Sequence, residues 1–93
     1  MTLSLKYNWV KTCDACPEQY DVFDEDGKQI AYVRARWGHV TADCPDALDA
    51  RVFEAAFSDD GYDGCFHDDN HRQPFFTEIE NAITDYYKEN TDV

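Results

Sequence analysis

The clearest structural signal in this sequence of 93 residues is KQIAYVRARWGHVTADC, residues 28–44. Apolar and polar side chains alternate in much of it, as they do in a strand with one face buried. Residues 28–37, rich in β-branched and aromatic types, are predicted to form a strand. Gly38 permits a tight turn, and residues 39–44 are predicted to form the next strand, which ends at Pro45. The stretch therefore predicts an antiparallel hairpin.

The two faces of the first strand differ in chemistry. One face carries Ala31, Val33, Ala35 and Trp37, and the other carries Ile30, Tyr32, Arg34 and Arg36. Arg34 and Arg36 could together hold a carboxylate or a phosphate. Because acidic residues are so abundant in this chain, we expect both arginines to pair with acids of the protein itself. An enzyme that uses the two arginines and a histidine on a small anionic substrate would need a concave pocket beside the sheet.

Further strand-like segments precede the hairpin. Residues 3–10 alternate well enough to form a strand, with larger apolar side chains at every second position. Residues 20–23 form a short apolar segment, and Asp26-Gly27 separates it from the hairpin. An Asp-Gly pair between two strand-like segments is a strong hairpin signal. These segments extend the predicted sheet on one side.

The second half of the chain contains an ambiguous segment and a helix. Residues 47–58 suit either a helix or a strand, and we favour a strand over 51–57 because it follows a meander and precedes a turn-like Asp59-Asp60-Gly61. Residues 74–89 are predicted to form an amphipathic helix with Pro74 as its first residue. The residues at helical spacing are Phe76, Ile79, Ile83, Tyr86 and Tyr87. The prediction is a single α+β domain over 1–93, with an antiparallel sheet of four to five strands and one C-terminal helix packed on it.

The charge balance restricts the classes of function. Twenty acidic residues against eight basic ones give a net charge of -12, and residues 59–93, with ten acids and two bases, hold -8 of it. Binding to nucleic acid or to an anionic membrane needs a surplus of lysine and arginine, so we expect neither. No stretch approaches the roughly 20 apolar residues of a membrane span. The first residues also lack a signal-peptide pattern, so we expect a cytoplasmic protein with reduced thiols.

Two stretches resemble a known group of proteins. CPEQYDVF at 16–23 and DGKQIAYVRARWG at 26–38 resemble small uncharacterised proteins encoded by phages and prophages, which share a CPEQYDV run, a Y-x-R-x-R-x-G run and a C-terminal helix. The resemblance covers about residues 13–89. It implies a small protein made in the cytoplasm of a bacterial host, and many proteins of that origin inhibit host enzymes. It implies no particular chemistry.

The acidic C-terminal third favours an inhibitor and not an enzyme. Carboxylates spaced along a surface can stand in for the phosphates of a duplex and occupy the basic groove of a nucleic-acid enzyme, such as a CRISPR effector or restriction enzyme. Acidity that serves solubility alone is the alternative. Glu78, Asp85 and Glu89 are expected to share a helix face away from Ile79 and Ile83. The candidate partner-binding residues are Asp59, Asp60, Asp63, Asp68, Asp69, Glu78, Asp85 and Glu89, with Tyr62 and Phe66 as aromatic contacts. A homodimer stays an open alternative.

The cysteines suggest a second hypothesis. Cys13 and Cys16 have the Cys-x-x-Cys spacing of zinc sites, and Cys65 and His67 could complete four ligands. This would make the chain a zinc-stapled adaptor that binds a protein without mimicking DNA. Cysteines that are buried as small apolar residues, or have no role, are the competing interpretation. The aspartate-rich runs at 24–27 and 59–64 do not match a calcium loop, and we expect solvated turns there.

Overall fold

Five antiparallel strands and one helix form the described part of the chain, residues 3–13, 16–47, 49–59 and 64–90 of a computed structural model. The strands are β1 Asn8–Lys11, β2 Gln19–Phe23, β3 Gln29–Arg36, β4 His39–Cys44 and β5 Ala50–Ala56, and the helix is α1 Asp69–Asn90. Each strand pairs with the next in sequence, so the sheet is a meander in the order β1 to β5. The predicted α+β architecture is confirmed. None of the described helical residues forms a segment long and apolar enough to cross a membrane.

The sheet buries one face against α1. Ala31, Val33 and Ala35 of β3 are at most 1% exposed, as the alternation predicts. On the helix side, Phe76, Ile79 and Ile83 are fully buried and belong to the same core cluster. Removing these side chains from water is the main favourable contribution to folding, about 25 cal/mol for each Å² of apolar surface. Tyr32, Arg34 and Arg36, which alternate with them, therefore point to the side of the sheet that α1 does not cover. Ile30, which was predicted to share that outer face, is instead 6% exposed and belongs to the core cluster, because the pairing of β2 with β3 shifts register between Val22 and Phe23.

Two turns determine the register of the central hairpins. Between β2 and β3, Asp24 Oδ1 accepts hydrogen bonds from the backbone N–H groups of Asp26 and Lys28 at 2.9 and 3.0 Å, and Gly27 has a φ of 84°. This confirms the predicted Asp-Gly turn. Between β3 and β4, Trp37 and Gly38 have φ values of 55° and 74°. Positive φ at both central positions is typical of a two-residue hairpin turn of type I′. Trp37 is therefore a turn residue, and its predicted place in the strand beside Ala35 is wrong.

The N-terminal segment departs from the predicted strand. Its side chains alternate between half-buried and exposed from Leu3 to Val10, but strand pairing begins only at Asn8. The backbone before β1 bonds to helix side chains instead: the carboxylate of Glu80 accepts hydrogen bonds from the N–H groups of Lys6 and Tyr7 at 2.9–3.0 Å. The segment therefore lies along α1, because the helix and not the sheet supplies its acceptors.

The two remaining elements differ in how well they were predicted. The strand expected over 51–57 is confirmed as β5. The helix begins at Asp69, five residues before the predicted start, because Asp68 Oδ1 accepts a hydrogen bond from the N–H of His71 at 2.9 Å and caps the first turn. Pro74 lies inside α1, not at its first position. An acidic cap upstream thus determined the start of the helix.

A buried ion pair joins the start of α1 to the sheet. The Glu18 side chain is 1% exposed, and Arg72 donates to its two oxygens from Nε and from a terminal guanidinium nitrogen, each at 3.0 Å. The Tyr20 hydroxyl and the Phe66 backbone N–H also donate to this carboxylate, both at 2.7 Å. Burial alone would raise the pKa of Glu18, but the bonds from Arg72, Tyr20 and Phe66 outweigh it and hold the pKa below its ordinary value.

The lowered pKa of Glu18 makes part of the stability depend on pH. Above about pH 4.3, the ordinary glutamate pKa, the charged carboxylate stabilises the fold, and this contribution disappears as the pH falls through the lower folded-state pKa. The melting temperature of wild type should therefore exceed that of Glu18→Gln most clearly above about pH 5, with the gap closing below about pH 4. Thermal unfolding of both proteins at a series of pH values measures the gap. A gap that stays constant down to the lowest pH would contradict a charged Glu18.

Candidate functional site

The outer side of α1 presents a stripe of carboxylates. Glu78, Asp85 and Glu89 are exposed, whereas Ile79 and Ile83 on the opposite side are fully buried. A helix with 3.6 residues per turn places the three acids within about 40° of one another and over about 16 Å of its axis. No ion pair in the described part of the chain includes any of them. These three residues are called the acidic helix face, and the prediction that they share an exposed face is confirmed.

The other acids predicted to bind a partner differ in exposure and in hydrogen bonding where the structure describes them. Asp59 and Asp68 are exposed, but Asp68 also caps α1. Asp69 is only partly exposed and accepts a hydrogen bond from Arg72 at 2.7 Å, so its charge is compensated. Asp60, Tyr62 and Asp63 lie outside the described residues.

Phe66 does not lie on the surface. It is 4% exposed, and its ring packs against those of Phe57 and Phe76 at centroid distances of 4.3 and 5.7 Å. Its backbone N–H donates to the buried Glu18. The prediction that Phe66 is an aromatic contact for a partner is therefore wrong, because the core needs its ring.

The structure joins two of the four predicted zinc ligands to each other and does not group them with the other two. Cys16 and Cys65 form a disulfide with each other, which leaves neither as a thiolate, and the expectation of reduced thiols does not hold for this pair. Cys13 is a free, half-buried thiol, and His67 is exposed. Within residues 3–13, 16–47, 49–59 and 64–90, no group of three or more His, Cys, Asp or Glu side chains is placed to hold a metal ion. The fourth cysteine, Cys44, is fully buried, and burial raises the pKa of its thiol to about 11.

The uncovered face of the sheet carries a second candidate site, which we call the arginine groove. It is a shallow hollow of about 260 Å³ at the β3–β4 hairpin. Its main walls are the side chains of Arg34, Arg36, Trp37, His39 and Arg51. The strand register brings them together: Arg36 pairs with His39, and Arg34 pairs with Thr41. Three of the four arginines in the chain thus line one hollow.

The arginines of this groove differ in their partners. Arg51 donates from Nε to Asp43 Oδ1 at 2.9 Å and lies 3.7 Å from Glu54 Oε1, so carboxylates compensate its charge. Arg34 and Arg36 have no carboxylate within ion-pair distance among the described residues. Among the described residues, the sequence-based expectation that they pair with acids of this chain is therefore not met. Both side chains lie on the uncovered face of the sheet, where their paired residues on β4 are Thr41 and His39.

Trp37 is the functional candidate that the sequence did not reveal. It is 55% exposed, and the Arg36 guanidinium lies 5.1 Å from the centre of its ring. A bulky residue at positive φ is disfavoured, because its side chain crowds the backbone. The available signal was the length of the hairpin: strands ending at Arg36 and starting at His39 leave only Trp37 and Gly38 for the turn.

Comparisons with family models, with curated proteins and with solved structures return no match for this chain. Any function must therefore be argued from the two faces described above: a stripe of exposed acids on α1 and a cluster of arginines with a tryptophan on the opposite side of the sheet.

Proposed function

We propose that this protein is a small inhibitor, not an enzyme, which binds a basic surface on a nucleic-acid-processing protein through the acidic helix face. The observation that carries the proposal is that Glu78, Asp85 and Glu89 are exposed, aligned and without ion-pair partners in the described part of the chain. A groove lined with Arg and Lys, which normally binds phosphates, would accept such a stripe. Bound there, the inhibitor would exclude DNA by competition.

The distribution of basic residues supports this choice of surface. Arg72 forms ion pairs with Glu18 and Asp69, and the arginine groove lies across the sheet from α1. Electrostatic interactions in physiological salt are screened over about 8 Å, which is less than the thickness of a sheet with its helix. The negative potential at the acidic helix face should therefore be little reduced by the positive charge of the arginines. Lys88 is the one base within the same stretch of the helix.

The resemblance to phage proteins supports a more specific proposal about the compartment and the target of the inhibitor. A protein of that kind would act in the cytoplasm of the host, and its target would be a defence enzyme such as a CRISPR effector or a restriction enzyme. Electrostatic complementarity mainly raises the rate of association and selects the partner. Inhibition by this route should therefore weaken as salt increases.

Neutralising the acidic helix face should weaken inhibition strongly. Exposed charge contacts contribute about 0–1 kcal/mol each, so single changes should have small effects. The triple variant Glu78→Gln/Asp85→Asn/Glu89→Gln should lose about 2 kcal/mol of binding free energy, which is about 30-fold in affinity. A DNA-cleavage assay with a panel of restriction enzymes and CRISPR effectors, at low and high salt, measures the loss on any enzyme that the wild type inhibits.

The matched control removes the same charge elsewhere. Glu25, Asp26 and Asp49 are exposed acids in turns at the ends of strands. The triple variant Glu25→Gln/Asp26→Asn/Asp49→Asn should inhibit almost as well as wild type. Equal losses in the two triple variants would show that only net charge matters and would contradict the assignment to α1.

A further inference from the structure

We propose that the arginine groove binds a nucleotide, with the phosphate between Arg34 and Arg36 and the base against the ring of Trp37. The site lies across the sheet from the acidic helix face, so this inference does not depend on the proposed inhibition. It concerns a small molecule with one anionic end and one flat aromatic end.

Arg34 and Arg36 are the residues that would bind the anionic end of the ligand. They lie two residues apart on β3, so their side chains leave the same face of the sheet about 7 Å apart. The chain has 20 acids, yet neither arginine has a carboxylate partner among the described residues. A guanidinium is a planar fork of donors that matches the oxygens of a phosphate. His39 pairs with Arg36 across the hairpin, and its Nδ1 lies 3.1 Å from the backbone oxygen of Trp37, which holds the ring beside the same position.

Trp37 is the residue that would bind the aromatic end of the ligand. Its backbone adopts a φ of 55°, which asparagine or glycine would adopt more easily, and 55% of the residue is exposed. Tryptophan disfavours a positive φ and exposure to water, yet this turn contains a tryptophan with both. Aromatic side chains on an exposed sheet face, next to cations, are a common platform on which nucleobases stack.

Two hollows meet at Trp37. The arginine groove, about 260 Å³, and a second hollow of about 360 Å³ share a wall that Arg36 and Trp37 form. Pro17 and the disulfide-bonded Cys16 line the second hollow, so its lining, where the structure describes it, is less polar than that of the first. A ligand that spans the wall would place a charged group in the first hollow and an apolar ring in the second. A nucleoside monophosphate has this division of chemistry.

The acidity of the whole chain does not prevent anion binding here. Charges beyond about 8 Å are largely screened in physiological salt. Among the described residues, Asp43 and Glu54 are carboxylates near the groove, and both are within ion-pair distance of Arg51. Glu54 lines the hollow, so its charge should oppose an anion. It therefore provides a variant with the opposite expected effect.

Calorimetric titration with AMP tests the proposal, with ribose 5-phosphate and adenosine as the two halves of the ligand. We expect AMP to bind at least tenfold more tightly than either half, and more weakly as salt increases. Ribose 5-phosphate binding as tightly as AMP would overturn the role of Trp37. An absence of heat with millimolar AMP, with no chemical-shift change at Trp37 in an NMR titration, would overturn the site.

Variants locate the binding. Arg36→Gln should weaken AMP binding at least tenfold, whereas Lys28→Gln, which removes the same charge from an exposed turn, should leave it unchanged. Trp37→Asn keeps a residue that tolerates positive φ, so it should abolish binding while the melting temperature stays constant or rises. Glu54→Gln should strengthen binding severalfold. Equal affinity in wild type, Arg36→Gln and Trp37→Asn would place the ligand elsewhere and overturn the proposal.

Discussion

Replacing Arg72 with methionine should lower the free energy of unfolding by about 3–5 kcal/mol, the cost of leaving one partner of a buried ion pair alone. Arg72 supplies two of the four hydrogen bonds to the Glu18 carboxylate, and the Glu18 side chain is only 1% exposed. Methionine retains most of the length and apolar surface of the arginine, so the loss reports the charge and not a cavity. Urea unfolding followed by circular dichroism measures the difference.

Lys88→Met is the matched control for this prediction. Lys88 is an exposed base in the last turn of the same helix, so the change removes the same charge without exposing a buried partner. We expect its effect to stay within about 0.5 kcal/mol, as for most surface changes. If Arg72→Met were no more destabilising than Lys88→Met, the Glu18–Arg72 pair would not be the connection between α1 and the sheet that the structure indicates.

Glu80→Ala should cost about 2–4 kcal/mol, because buried donors that lose their acceptor cost about 1–3 kcal/mol each unless they reach water. The Glu80 carboxylate accepts hydrogen bonds from the backbone N–H groups of Lys6 and Tyr7 and from Trp9 Nε1, all at 2.9–3.0 Å. Glu80 itself is 6% exposed. The N-terminal segment should detach from α1, and this limits the loss. Urea unfolding measures the cost.

Hydrogen exchange identifies where the Glu80→Ala effect acts. The amides of Lys6 and Tyr7 should exchange faster in the variant, while those in β3 and β4 keep their protection relative to global unfolding. Glu78→Ala is the control, since Glu78 is an exposed glutamate two residues earlier on α1. Unchanged protection at Lys6 and Tyr7 in Glu80→Ala would contradict the role of this carboxylate as their acceptor.

Local periodicity was sufficient to predict the sheet and the core side of the helix. Alternation over β3 and β4 and the Asp-Gly signal before β3 gave the meander, and Ile79 and Ile83 gave the buried side of α1. Each of these features repeats within a few residues. The composition of residues 51–57 suited both a helix and a strand. The strand could be favoured only because the segment follows a meander. Local patterns therefore predict elements and faces, and the order of elements resolves the ambiguous ones.

Long-range polar contacts could not be predicted. Glu18 and Glu80 look like any surface glutamate in the sequence, yet their partners Arg72 and Lys6 lie 54 and 74 residues away. The same holds for Cys16, whose disulfide partner is 49 residues away and was expected to be a reduced thiol. No local pattern distinguishes these residues, because a buried carboxylate is recognised only by the donors that surround it. The candidate sites were only partly predictable for the same reason. Alternation placed Arg34 and Arg36 on one face, but it did not show that no described carboxylate pairs with them.

Capture from a bacterial lysate with the tagged protein, eluted in rising salt and identified by mass spectrometry, tests the proposed inhibition most directly. Wild type should retain a nucleic-acid enzyme that elutes at moderate salt and that DNA displaces. The variant Glu78→Gln/Asp85→Asn/Glu89→Gln should lose this enzyme, and Glu25→Gln/Asp26→Asn/Asp49→Asn should keep it. A partner held equally by all three proteins, or one that stays bound in high salt, would contradict binding through the acidic helix face.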